Sequence, residues 1–123
     1  MNTKIIFSIF LLLSIMTATA QKSSFIRAQE VSVVQLKDFL LIDVRTPEEY
    51  QEETIPSAIN INVENDSFRS EVEKIDKNTP LIIFCKSGGR SETAAEILNN
   101  LGFTNVKEIE GGFEAWKALQ ETE

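Results

Sequence analysis

Leu81-Ile82-Ile83-Phe84-Cys85-Lys86-Ser87-Gly88-Gly89-Arg90-Ser91 is the stretch from which the fold is read. Its first four residues are apolar without alternation, the pattern of a strand covered on both faces. Two glycines follow and let the backbone curl. Ser91 then opens a helix in which Ala94, Ile97, Leu98 and Leu101 recur at helical spacing, closed by Gly102.

Outward from this strand, turn and helix the same grammar repeats. Leu40-Leu41-Ile42-Asp43-Val44 is another continuous run of strand length, and Thr46-Pro47-Glu48-Glu49 has the N-cap, first-turn proline and acidic residues that start a helix. Ile55 to Ile61 reads as a turn entering a short strand, and Ser67 to Ile75 as a short amphipathic helix. Val106 to Ile109 is a last strand, and Gly111-Gly112 leads into a helix with Phe113, Trp116 and Leu119 on one face. Gln21 to Glu30 is polar and aperiodic, so a linker or loose segment is expected there, with a brief strand and short helix over 31–39. Strands alternating with helices call for an α/β fold: a small, mostly parallel sheet with helices on both faces, here over residues 31–121.

The first twenty residues stand apart. Lys4 is their only charge, Ile5 to Met16 is nearly all apolar, and Ala18-Thr19-Ala20 offers small residues for cleavage. Residues 1–20 are therefore expected to be a signal peptide, and the protein to be exported, periplasmic or secreted. An uncleaved anchor is the alternative, but the apolar run falls short of the roughly twenty residues needed to span a bilayer, so no membrane span is expected after cleavage.

The net charge is −7, and one unit more negative without Lys4. That balance argues against nucleic acid or anionic membrane as a partner, because both need a basic face. Histidine is absent, which removes His-based metal sites and every imidazole base. No metal or other cofactor is expected. One cysteine, Cys85, rules out an internal disulfide.

Ligands of open parallel sheets collect beyond the carboxyl ends of strands, where Cys85 falls. Lys86, Ser87, Gly88, Gly89, Arg90 and Ser91 follow it, and their N–H groups are able to point inward as an anion-binding nest at a helix start. Amides, helix dipole and the two cations all favour thiolate, so the Cys85 pKa is expected below its ordinary value. A buried Cys after a strand is otherwise an inert core residue. The glycine-and-cation loop points instead to chemistry.

Four stretches together resemble the rhodanese family: Leu41 to Tyr50, Ile55 to Ile61, Ile83 to Ser91, and Glu110-Gly111-Gly112-Phe113-Glu114-Ala115-Trp116. The resemblance implies the rhodanese-like fold and sulfurtransferase activity, with Cys85 as the persulfide-forming nucleophile and Lys86 to Ser91 wrapped around it as the substrate-binding loop. It also implies a supporting role for Asp43 or Arg45 beneath that loop, pairing with loop groups, with a plain ion pair at the strand end as the equal alternative. Where many members read Gly-His-Ile-Pro-Gly-Ala, this chain reads Glu53-Thr54-Ile55-Pro56-Ser57-Ala58.

Expected partners are a small sulfur donor such as thiosulfate or polysulfide and a thiol or protein acceptor, with the protein a monomer. Two other readings stand beside this one. A sulfur-carrier or docking module uses the same cysteine without turnover. A cysteine phosphatase or arsenate reductase needs five residues between Cys and Arg, whereas this chain has four.

Overall fold

The computed structural model describes residues 24–31 and 36–122; the expected signal peptide lies outside them. Five parallel strands form one sheet in the order β1-β5-β4-β2-β3. They are β1 (Ser24–Arg27), β2 (Leu40–Asp43), β3 (Ile59–Asn60), β4 (Leu81–Phe84) and β5 (Val106–Glu110). The helices are α1 (Ala28–Val31), α2 (Pro47–Glu52), α3 (Phe68–Val72), α4 (Gly89–Asn100) and α5 (Gly112–Glu121), with a short 3-10 turn at Leu36–Asp38.

The central strand β4 explains the unbroken apolar run: all four of its residues are 0% exposed. Successive side chains point to opposite faces. Leu81, Ile83 and Cys85 therefore join Ile42 and Val44 under Phe68, Val72, Ala94 and Leu98 of α3 and α4. Ile82 and Phe84 join Leu41 on the other face, under Val31 of α1 and Phe113 of α5. Trp116 and Leu119 are half-buried against that second cluster. Each fully buried aliphatic or aromatic side chain contributes roughly 1.5–3 kcal/mol, so the two layers fix the sheet's orientation. Among the described residues no helix is long and apolar enough to cross a membrane.

The structure corrects the N-terminal reading. Ser24–Arg27, expected as linker, is an edge strand paired in register with Lys107 to Glu110. Only Ile26 of its four residues is buried, so the strand carries one inward side chain and no legible period. Val31, expected to open a strand, closes α1 instead. Helix α4 begins at Gly89, two residues before Ser91, because Gly88 takes the turn and releases the chain into helix at once. The β2, β4 and β5 assignments stand, and the expected helix over 67–75 contracts to Phe68–Val72.

Candidate active site

Strand β4 ends at Phe84 and delivers Cys85 to the carboxyl edge of the sheet, with the side chain on the α4 face. Cys85 is 1% exposed. The Gly88 N–H donates to its Sγ at 3.1 Å. Gly88 has φ +148°, a conformation that an L side chain rarely adopts, and this geometry turns its amide inward. Ser91, in the first turn of the helix, places its hydroxyl 3.6 Å from the sulfur.

Burial pushes the Cys85 thiol up, but its hydrogen bond with the Ser91 side chain and those with the amides of Ser91, Gly88 and Ser87 outweigh it and bring the thiol below its ordinary value. The direction expected from the sequence holds. Its agents are the amides and a serine.

The two loop cations are placed differently from expectation. Arg90 donates from both terminal nitrogens to Glu49, at 2.6 and 3.1 Å, and Lys86 is exposed and lies 3.7 Å from Glu114. Glu49 was already committed to the α2 start, where it forms a capping box with Thr46. That helix end packs beside the loop, so Arg90 finds the carboxylate before it finds the sulfur. The Arg90 hydrogen bond, opposed by burial and aided by Thr46, brings the Glu49 carboxyl down to about 2.

Asp43 and Arg45 pair with each other rather than with loop groups. The Arg45 guanidinium donates to Asp43 Oδ2 at 2.8 Å and to the Glu53 carbonyl at 2.7 Å, and both residues are nearly fully buried. The two residues leave the sheet on the face opposite Cys85. From there the Arg45 guanidinium stacks 4.3 Å from the Phe113 ring centroid, so it supports the loop through α5.

Helix α5 clamps the loop from behind. The Phe113 N–H donates to the Cys85 carbonyl at 2.8 Å, and the Glu114 N–H to the Lys86 carbonyl at 3.1 Å. A Cβ on Gly112 would stand 2.6 Å from the Cys85 carbonyl oxygen, so the motif's second glycine is what lets the helix start touch the cysteine turn. A cavity of about 420 Å³ opens beside this clamp, lined by Arg45, Glu49, Lys86, Phe113 and Lys117 among others.

Sequence reasoning did not identify Glu49, Thr54, Gly112 or Glu108 as site residues. Thr54, at the position where many relatives carry His, donates to Asp43 Oδ2 at 2.9 Å and so satisfies a buried carboxylate oxygen. Glu108 is 1% exposed and accepts from the Ser91 hydroxyl at 2.9 Å. Its signal was available: a glutamate at the inward parity of a strand, two residues from Val106.

Comparison with known proteins agrees with this architecture. The model of the rhodanese-like domain matches residues 28–119. Thiosulfate sulfurtransferase GlpE of Coxiella burnetii is 34% identical over 90 residues, covering 73% of this chain and 82% of that protein. The crystal structure of a rhodanese-related protein from Thermoplasma volcanium superposes with TM-score 0.69 at 28% identity, covering 78% of this chain and 92% of that one. Reduced CoADR-RHD of Bacillus anthracis gives TM-score 0.72 at 28% identity, over 81% of this chain but 17% of that much longer one. With that match over residues 28–119 and that identity to the Coxiella protein, the chain belongs to the rhodanese-like domain family.

Proposed function

We propose that this protein is an exported single-domain sulfurtransferase that moves a sulfane sulfur through a persulfide on Cys85. The observation that carries the reading is the amide of Gly88 aimed at Cys85 Sγ at 3.1 Å, at the start of α4. A donor placed there stabilises an anionic sulfur without any basic side chain. The Coxiella relative, a thiosulfate sulfurtransferase by name, supports the same chemistry. Export is supported by the charge-poor apolar leader of residues 1–20.

In the first half-reaction the Cys85 thiolate attacks the outer sulfur of a donor such as thiosulfate. The S–S bond of the donor breaks, sulfite leaves with the electron pair, and Cys85 becomes a persulfide anion. In the second, a thiolate acceptor attacks the outer sulfur and the Cys85 thiolate leaves. Two displacements replace one harder transfer. With one cysteine in the chain, the second thiol comes from a small molecule or a partner protein.

Phosphoryl or arsenate chemistry fits less well. The loop is one residue shorter than that chemistry uses, and Arg90 is bound to Glu49 rather than free to clamp a tetrahedral oxyanion. A docking or carrier module shares the persulfide but not turnover.

Intact mass of the protein recovered from its producing cells tests the reading. Treatment with thiosulfate should add one sulfur, about 32 Da, reversed by dithiothreitol and absent in Cys85→Ala. No gain with thiosulfate or polysulfide overturns the persulfide reading. The untreated mass should correspond to a chain starting at Gln21, and a chain retaining residues 1–20 overturns export by cleavage. Catalytic turnover of thiosulfate with a small thiol separates an enzyme from a carrier.

A further inference from the structure

Ser91 carries one hydroxyl hydrogen and faces three acceptors. The Gly88 carbonyl lies at 3.0 Å, Glu108 Oε1 at 2.9 Å and Cys85 Sγ at 3.6 Å. Cys85, Ser91 and Glu108 are each 1% exposed, the Gly88 carbonyl also accepts from the Glu92 N–H at 3.2 Å and the sulfur already meets the Gly88 N–H, so the destination of that single proton decides what the sulfur meets from Ser91. The carboxyl oxygen is the nearest and the strongest acceptor of the three.

We propose that Glu108 is a positioning residue for Cys85: it draws the Ser91 proton to itself, so that the Ser91 oxygen faces the sulfur as an acceptor and holds the resting thiol. Formation of the thiolate then requires the Ser91 proton to turn from Glu108 to Sγ. The switch is local, because Glu108 sits on β5 and Ser91 on α4, and the one Ser91 hydroxyl lies within reach of both Glu108 and Cys85. The other charges near the sulfur are paired, Arg90 with Glu49 and Lys86 with Glu114, and of the two Arg90 still feels the Cys85 charge. Glu108 is therefore a control on the nucleophile that the sulfur-transfer steps do not themselves use. The inference rests on Cys85 as the reacting thiol.

The test is the pH dependence of Cys85 alkylation by iodoacetamide in the full folded chain, which needs no sulfur donor and so fails independently of the proposed function. Glu108→Gln offers an amide N–H to the Ser91 oxygen and removes a negative charge, both of which release the hydroxyl proton to sulfur. Its alkylation midpoint should fall by about one pH unit, equal to about tenfold more thiolate below the midpoint. In a Ser91→Ala background the same change should shift the midpoint by less than about half as much. An unchanged or raised midpoint in Glu108→Gln overturns the proposal, and so does an equal shift without Ser91. Should the variants not fold, the wild-type protein decides by itself: its S–H infrared band should lie below that of a free thiol, as for a hydrogen bond to Ser91. A band at the free-thiol position overturns the proposal.

Discussion

Arg90 and Glu49, forty-one positions apart in sequence, form a two-pronged ion pair at 2.6 and 3.1 Å that ties the cysteine loop to the start of α2. The sheet order makes the meeting possible, since β2 and β4 are neighbours and both hand their chains over at the same edge. Both side chains remain about a quarter exposed. Solvent screens such a pair, and it is worth about 1 kcal/mol.

The pair makes stability sensitive to acid. Glu49 has its carboxyl lowered from 4.5 to about 2 in the folded chain, so it stabilises the fold fully above pH 4.5. That contribution is lost as the pH falls from 4.5 towards 2, where the folded form also takes up the proton. Glu49→Gln should cost about 1 kcal/mol at pH 7 and nothing at pH 2. Urea denaturation of both proteins across this range checks it, and a difference that stays constant with pH removes Glu49 as the titrating group.

Gly112→Ala should damage loop and fold together. The position has φ +62° and the new methyl would meet the carbonyl oxygens of Cys85 and Lys86 at 2.6 and 2.7 Å. Left-handed strain costs about 1–3 kcal/mol before the overlap is counted. Relief comes from α5 backing away, which breaks the Phe113 and Cys85 backbone bond. Denaturation should show a loss of at least about 2 kcal/mol, and Cys85 alkylation should lose its present pH midpoint. A variant that is stable and alkylates normally would show that the clamp does not set the turn.

The sequence made the centre of this molecule legible and its margins obscure, for physical reasons. Continuous apolar runs such as Leu81 to Phe84 report burial on both faces, so β4 and β2 were readable, and the glycines after Cys85 marked the turn. Ser24–Arg27 was not readable, because an edge strand of four residues with only Ile26 buried has no period to detect. The destination of charges was also hidden. Arg90 was expected to face the sulfur, yet a carboxylate from an element distant in sequence claims it, and pairings of that kind follow from topology rather than from local pattern. Asp43 and Arg45 were placed near the loop by resemblance, and the structure makes them a closed pair that acts through Phe113.

Ser57 marks where this chain departs from its relatives at a cost. The Ala58 N–H donates to the Ile55 carbonyl at 3.1 Å, closing a tight turn with Pro56 and Ser57 at its centre. Proline suits the first central position, and the second requires positive φ, which favours glycine. Ser57 is the one non-glycine residue of the described chain at positive φ, +77°. Ser57 is exposed, and among the described residues its side chain makes no hydrogen bond that would offset the strain. The turn carries the chain into β3, whose Asn60 side chain donates to the Asp43 and Arg45 carbonyls at 3.0 and 2.9 Å, so the strain sits beside the buried pair but outside the cysteine loop. Ser57→Gly should relieve it, less the entropy that glycine adds to the unfolded state, for a net gain of about 0.5–1 kcal/mol. In a domain of this size that raises Tm by about 3–6 °C, while Cys85 alkylation stays as in the wild type. A fall in Tm would mean that the serine hydroxyl holds the turn by a contact worth more than the strain.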